Sequence, residues 1–162
     1  MSVEAILSRN RLAEVTCDEK SIQHGAADRA RERAAAIFDL VEENSFGVVD
    51  CDDGPYRLTV AQAESRLTFE VRGASGASVA ALAMSTTPLR PLLTDYFLLC
   101  ESYYSAIRSA SPRQIEAIER ERAALHNQGA ALIAERLADK VEIDERTARR
   151  LFTLVSALDW KK

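Results

Sequence analysis

The segment His126-Asn127-Gln128-Gly129 is the least regular stretch of an otherwise helical pattern. It contains one of the two histidines in the chain, and its glycine costs a helix roughly 1 kcal/mol relative to alanine. On one hypothesis, Gly129 lets a ligand or another backbone approach closely, while His126 binds an anion or transfers a proton. On the other, Gly129 allows tight packing against a neighbouring helix and His126 has no chemical role. The sequence favours packing, the usual reason for an isolated glycine within a helix.

Proton transfer by His126 would need an acidic partner, and the candidates are Asp95 and Glu101. Both lie on a tyrosine-rich helical segment before His126, and a general acid or base has to reach the substrate and often a partner group. The two carboxylates are six residues apart, so they lie on different faces of a helix, which weakens a paired-carboxylate site. His126, Glu101 and Asp95 are therefore candidates without an assigned role, and the sequence favours a noncatalytic protein.

A second candidate site is a cluster of three arginines, Arg146, Arg149 and Arg150, which we call the arginine ridge. Spacings of three and four residues make them neighbours on a helix surface. Guanidinium groups bind phosphate and carboxylate groups well, so the ridge, together with Asn127 and Gly129, is the predicted binding site. The alternative, which the sequence favours, is that nearby acidic residues, Glu142 and Glu145, neutralise the ridge in ordinary surface ion pairs.

Neither a metal site nor a cofactor is predicted. The three cysteines, Cys17, Cys51 and Cys100, contain no Cys-x-x-Cys pair and are typical of reduced thiols in a cytoplasmic protein. The acidic segment that ends at Gly54 departs from a calcium-binding loop, because its glycine is fifth rather than sixth. The glycines at 73 and 76 are followed by strand-like residues and predict a hairpin turn rather than a phosphate loop.

Composition restricts the function further. The chain has 162 residues, 47 % of them hydrophobic, and a formal net charge of −4. These values are typical of a single globular domain and argue against a membrane protein or a nucleic-acid-binding protein. We expect one soluble cytoplasmic domain over residues 1–162, of which residues 1–11 could be disordered. The oligomeric state stays open.

Hydrophobic periodicity predicts an α+β fold. A strand at 12–16 and a helix at 26–44 come first, and the period then changes to two, with apolar residues alternating along Tyr56 to Val60 and Leu67 to Val71. Residues 12–85 are therefore a strand, a helix and a meander, and we expect an antiparallel β-meander of three to five strands packed against the helices. Residues 86–158 are a helical layer, so the C-terminal half is predicted to be all helical and the fold to have about four helices.

Three residues mark where the helices of this layer begin. Thr87 is the predicted N-cap of the first helix, and Ser111 opens the second with a capping box. Asp144 caps the last. Only residues 110 and 111 separate the first two helices, which predicts a helical hairpin or a sharply bent helix.

Long stretches of the sequence resemble a bacterial family known as uncharacterised protein family two-six-two. The resemblance is carried by residues 33–46 (RAAAIFDLVEENSF), 54–60 (GPYRLTV), 65–72 (SRLTFEVR), 94–119 (TDYFLLCESYYSAIRSASPRQIEAIE), 125–130 (LHNQGA) and 144–155 (DERTARRLFTLV). It extends over nearly all of the chain after Leu12. The resemblance implies a bacterial, cytoplasmic, single-domain protein, and it transfers no activity, cofactor or site residue.

Three functional hypotheses follow. The favoured one is a noncatalytic cytoplasmic binding or regulatory domain that holds a protein or a small anion with the helical hairpin and the arginine ridge. The alternative is a small enzyme with its site around His126. A further alternative, nucleic-acid binding through the arginine ridge, is disfavoured by the negative net charge.

Overall fold

A computed structural model describes residues 9–18, 27–63, 65–158 and 160, without the side chains of residues 27 and 28. In chain order the elements are β1 (Leu12–Cys17), α1 (Ala27–Glu42), β2 (Phe46–Val48), β3 (Tyr56–Gln62), β4 (Arg66–Arg72), β5 (Ser78–Ser85), α2 (Leu89–Ser109), α3 (Pro112–Leu137), β6 (Val141–Ile143) and α4 (Glu145–Ser156). The predicted α+β fold is confirmed in outline. The disorder predicted for residues 1–11 falls largely on residues 1–8, which lie outside the described residues.

The main sheet has four strands in the order β1-β3-β4-β5. Strands β3, β4 and β5 pair antiparallel, which confirms the predicted meander. The prediction of an antiparallel sheet is wrong for β1, which pairs parallel with β3, so the sheet is mixed. The physical reason is that parallel neighbours need a long crossover connection, and α1 lies in the segment that joins β1 to β3.

A second correction concerns the C-terminal half, which is not entirely helical. Strand β6 lies between α3 and α4 and pairs antiparallel with β2 in a separate two-stranded sheet. Each of these strands has only three residues, too few to establish a period of two. Their pairing depends on contacts between residues about 95 positions apart in the chain.

The helix starts follow local chemistry in two cases out of three. Ser111 and Gln114 form the predicted capping box of α3, and the Asp144 side chain caps α4 by accepting a hydrogen bond from the Thr147 backbone N–H. The prediction of Thr87 as N-cap of α2 is wrong, because that helix begins at Leu89. The Thr86 carbonyl oxygen accepts hydrogen bonds from the N–H groups of Leu89 and Arg90, so a backbone turn does what a side-chain cap would otherwise do.

Helix α4 lies at the centre of the helical layer, against both α1 and α3. Its apolar face, from Leu151 to Val155, is buried in the same hydrophobic core as the inner face of the main sheet. Helices α2 and α3 pack side by side as the predicted hairpin. Within the described ranges, no helix combines the length and apolar character that crossing a membrane requires.

Candidate functional site

His126 lies where α3 meets α2 and α4. Its Nε2 atom is 2.8 Å from the Thr153 hydroxyl oxygen, and its ring meets the Phe152 ring edge-on at a centroid distance of 5.0 Å. The Thr153 hydroxyl donates its proton to the Arg149 carbonyl oxygen at 3.1 Å. Because a hydroxyl has one proton, Thr153 accepts from His126, and Nε2 carries the hydrogen of the neutral ring.

The surroundings of His126 keep its ring neutral. Burial lowers the pKa of His126 below its usual value, and the guanidinium groups of Arg149 and Arg122 lower it further. Tyr96 of α2 lies on the other side, with ring centroids 5.9 Å apart, and burial, aided by the Cys100 thiol, raises the pKa of Tyr96 to about 12. Both rings are therefore uncharged near neutral pH.

Gly129 lies one turn after His126 and is buried against α4. A Cβ atom at this position would overlap the ring of Phe152. The absence of a side chain thus gives Phe152 its place beside α3. Asn127, between these two residues in the chain, is exposed, and its side chain has no hydrogen bond within the described part of the molecule.

The two candidate carboxylates are not joined to His126. Asp95 lines a shallow groove between α2 and α3, next to Glu121 and Leu125. Glu101 faces a different cavity, on the side of α2 that is turned towards α1. Among the residues that the structure describes, the hydrogen-bond partner of the His126 ring is Thr153 and not either carboxylate.

Each member of the arginine ridge is paired with a carboxylate. Arg146 is 2.8 Å from Glu43, Arg149 is 2.6 Å from Glu145, and Arg150 is 3.6 Å from Glu43. Arg150 also donates to the backbone carbonyl of Glu43 at 2.6 Å. Two of the three pairs use Glu43, which follows α1 and is more than one hundred positions away in the chain. The ridge therefore connects α4 to the end of α1.

A cavity of about 510 Å³ lies along α2, on the side of α1 and Trp160. We call it the arginine-aromatic cavity, and its charged, polar and aromatic lining residues are Arg29, Arg90, Thr94, Phe97, Glu101 and Trp160. Leu93 and Leu98 complete its apolar surface. Its volume lies within the range of roughly 300–1,000 Å³ that is typical of small-molecule sites.

Arg29 is held in place on two sides. Its guanidinium carbon lies 4.8 Å from the centre of the Phe97 ring, and its Nη1 atom donates to the Ser156 carbonyl oxygen at 2.9 Å. Carbonyl groups at the C-terminal end of a helix carry partial negative charge and lack partners within the helix. The end of α4 thus orients Arg29 at the cavity.

The second guanidinium of the cavity is oriented by the tryptophan. Arg90 lies over the indole ring of Trp160, 5.8 Å from the ring centre. Trp160 is itself fixed by a hydrogen bond of 2.7 Å from its Nε1 atom to the Val155 carbonyl oxygen. Both arginines are therefore placed by aromatic rings and by the last turn of α4.

The residues of this cavity were not among the candidates predicted from the sequence, except Glu101. A partial signal exists, since Arg90, Thr94, Phe97 and Glu101 recur at helical spacing on one face of α2. Nothing local connects that face to Arg29 or Trp160, which belong to other parts of the chain. No group of three or more His, Cys, Asp or Glu side chains arranged to hold a metal ion is found in the described ranges.

Comparison with known proteins identifies the family. The model of an uncharacterised protein family, UPF0262, matches residues 9–161 of the chain. The chain belongs to the UPF0262 family. Among its relatives, a UPF0262 protein of Xanthobacter autotrophicus is 53 % identical over 152 residues, which cover 93 % of each chain. A UPF0262 protein of Azorhizobium caulinodans is 53 % identical over 154 residues, or 94 % of this chain and 95 % of the relative.

More distant members of the UPF0262 family match over the same length. The UPF0262 protein of Hyphomonas neptunium is 48 % identical over 152 residues, which cover 94 % of each chain. No solved structure matches the chain. The resemblance predicted from the sequence is thereby confirmed, and the names of these bacterial relatives indicate no activity.

Proposed function

We propose that this protein is a noncatalytic binding domain that holds a small anionic ligand in the arginine-aromatic cavity. The observation that carries the proposal is the presence of two oriented guanidinium groups, Arg29 and Arg90, in the wall of one cavity with aromatic sides. Arginine stays charged at any physiological pH and donates hydrogen bonds in a planar fork that matches carboxylate and phosphate groups.

The orientation of Arg29 supports anion binding. Its Nη1 atom is engaged with backbone carbonyl groups of the α4 end, while its Nε and Nη2 atoms have no hydrogen-bond partner among the described residues. A guanidinium that is already held in one geometry loses less conformational freedom when it binds a ligand. Pre-orientation of this kind favours a ligand site over a solvated surface arginine.

The residues around the cavity support binding rather than catalysis. Arginine does not exchange protons at physiological pH, and the Thr94 hydroxyl donates to the Arg90 backbone carbonyl oxygen at 3.0 Å. Neither a cysteine nor a histidine is found among the described residues that line the cavity. The cavity thus offers charge and apolar surface, and its one carboxylate, Glu101, has no histidine or cysteine beside it among the described lining residues.

The alternative sites have less support. A ligand at the arginine ridge would have to displace Glu43 and Glu145 from its arginines, which applies to nucleic acid as well as to a small anion. Proton transfer by His126 would have to compete with its hydrogen bond to Thr153. A cytoplasmic location is part of the proposal, supported by three cysteines that form no disulfide.

The test uses the fluorescence of Trp160, the only tryptophan in the chain. We expect 3-phenylpropanoate, a small anion with an aryl body, to change that fluorescence in a saturable way. The uncharged 3-phenylpropanamide should bind at least tenfold more weakly, because a hydrogen bond between charged groups contributes about 1.5–3 kcal/mol. The substitution Arg90→Gln should remove this preference for the anion. Isothermal titration calorimetry would measure both ligands independently of fluorescence.

The matched control is Arg146→Gln, which removes the same charge from the arginine ridge. We expect this variant to bind 3-phenylpropanoate as the wild type does. Equal binding of acid and amide, an unchanged preference in Arg90→Gln, or absence of heat and fluorescence change with the anion would each overturn the proposal. Loss of binding only in the Arg146→Gln variant would move the site to the arginine ridge.

A further inference from the structure

The arginine-aromatic cavity carries a carboxylate as well as its two guanidinium groups. Arg90, Thr94, Phe97 and Glu101 follow one another at spacings of four, three and four residues, so one face of α2 presents them in a row. A rise of 1.5 Å per residue separates Arg90 from Glu101 by roughly 16 Å along the helix axis. The cavity therefore has a cationic end and an anionic end.

Arg29 lies between these two ends, beside a ring that is nearer to Glu101 than to Arg90 along α2. Its guanidinium is held over Phe97, which precedes Glu101 by about one helical turn. Rather than pairing with Glu101, Arg29 is turned towards the carbonyl groups at the end of α4. The opposite charges of the cavity therefore remain separate.

Glu101 has no neutralising partner within the described part of the chain. Its side chain is exposed, and neither a salt bridge nor a hydrogen bond engages its carboxylate there. A fixed negative charge at this position repels a ligand that is purely anionic and attracts an ammonium group. The surface between the charged ends is apolar and is formed by Leu93, Phe97 and Leu98.

We infer that the ligand of this cavity is a zwitterion with an apolar body, of the kind represented by a hydrophobic amino acid or a short peptide. This inference rests on the proposed function. The anionic group is bound by Arg29 and Arg90, the apolar body lies over Phe97 and Leu98, and the ammonium group faces Glu101. Free amino acids and short peptides share this chemistry, and they differ in the distance between their two charges.

The test compares ligands that differ only in the charge of the amine. Glycylphenylalanine and N-acetylglycylphenylalanine share a carboxylate and a benzyl side chain, but only the first has an ammonium group. We expect the free dipeptide to bind about fivefold more tightly, the upper range for one exposed ion pair. The substitution Glu101→Gln should abolish this difference, and it should strengthen the binding of the acetylated dipeptide by removing a repulsive charge.

A second pair of ligands and a control variant complete the experiment. Phenylalanine and N-acetylphenylalanine form this second pair. If acetylation weakens binding more in this pair than in the dipeptide pair, the cavity prefers a compact zwitterion over an extended one. Asp95→Asn removes a carboxylate from the other groove of α2 and should leave the effect of acetylation unchanged.

The outcomes separate the two proposals. If acetylation has no effect on either ligand pair, or if its effect persists in Glu101→Gln, the ligand is not recognised as a zwitterion, although anion binding stands. If none of these carboxylates binds, or if they bind equally to Arg90→Gln, the proposed function itself fails.

Discussion

Phe152 occupies the space in which a side chain at residue 129 would lie, and this contact brings α3 and α4 close together. At this contact the ring of Phe152 packs directly against the backbone of Gly129. His126 and Tyr96 surround the same ring, at centroid distances of 5.0 and 5.5 Å. One phenylalanine thus holds three helices in contact, because it touches residues of both α2 and α3.

The substitution Gly129→Ala should destabilise the protein. Alanine favours a helix by about 1 kcal/mol over glycine, but forcing a methyl group into a filled core costs about 1–3 kcal/mol. Since the methyl group would overlap an aromatic ring that is fully buried, the cost lies at the upper end of this range, and we expect the free energy of unfolding to fall by about 2 kcal/mol. Urea unfolding of the wild type and the variant would measure the difference.

Asn127→Ala is the matched control, because Asn127 is exposed on the same helix. Its effect should be within about 0.5 kcal/mol of zero or slightly stabilising. The double variant Gly129→Ala/Phe152→Leu should lose less stability than the sum of the single changes. A Gly129→Ala variant as stable as the wild type would mean that Phe152 can move aside and that packing does not require the glycine.

At the scale of elements, α1 stabilises the end of α4. Arg33 donates to the Ala157 carbonyl oxygen at 3.2 Å, and Arg29 donates to the Ser156 carbonyl oxygen. The last carbonyl groups of a helix have no partner within it. Two arginines of α1 thus provide partners for the end of α4.

Arg33→Met should lower the free energy of unfolding by about 1 kcal/mol, because it removes a hydrogen bond from a charged group to the end of a helix while keeping much of the side-chain volume. Arg31→Met, on the same helix, removes the same charge from an exposed position and should change stability by less than about 0.5 kcal/mol. Chemical denaturation of both variants would measure the effect. If both variants lost the same free energy of unfolding, the cause would be the change in net charge and not the hydrogen bond to the end of α4.

The success of sequence reasoning depends on the distance in the chain over which each element is determined. Ser111 and Asp144 cap helices through groups three residues away, and both caps were predicted. The alternation along β3 and β4 is equally local. The pairing of β1 with β3, by contrast, depends on which edge of the meander is free, and the sequence does not encode this in any periodic pattern.

The distinction between local and long-range determinants also explains which parts of the candidate site could be predicted. Spacing on α2 places Arg90 and Glu101 on one face, so this wall of the cavity could have been predicted. Glu43 as the partner of the arginine ridge, and Arg29 as the partner of Phe97, depend on how α1 lies against α4 and α2. Such contacts between distant segments arise only from the packed fold.

At the scale of the whole molecule, His126 should make stability depend on pH. The pKa of His126 in the folded protein is lowered by burial and by Arg149 and Arg122. In the unfolded chain the pKa of this side chain has its usual value of about 6.5. Below that pH the unfolded state takes up a proton that the folded state does not. The stabilising effect of neutral His126 is therefore complete above about pH 7.5 and is lost as the pH falls below about 6.5.

The measurement is the free energy of unfolding at about pH 7.5 and about pH 5.5. The wild type should lose more stability between these two values than His126→Asn does, since asparagine does not titrate. An equal loss in the two proteins, or a greater loss in the variant, would contradict the neutral state of His126 in the fold.

The hydrogen bond from Arg29 to the Ser156 carbonyl oxygen joins residues 127 positions apart. A ribosome synthesises α1 well before α4, so the arginine-aromatic cavity has no complete wall until α4 and Trp160 have both been made. The meander and the helical hairpin use contacts between neighbouring segments and can form before that. A nascent or truncated chain that stops before α4 would therefore lack this cavity even though it already contains much of the fold.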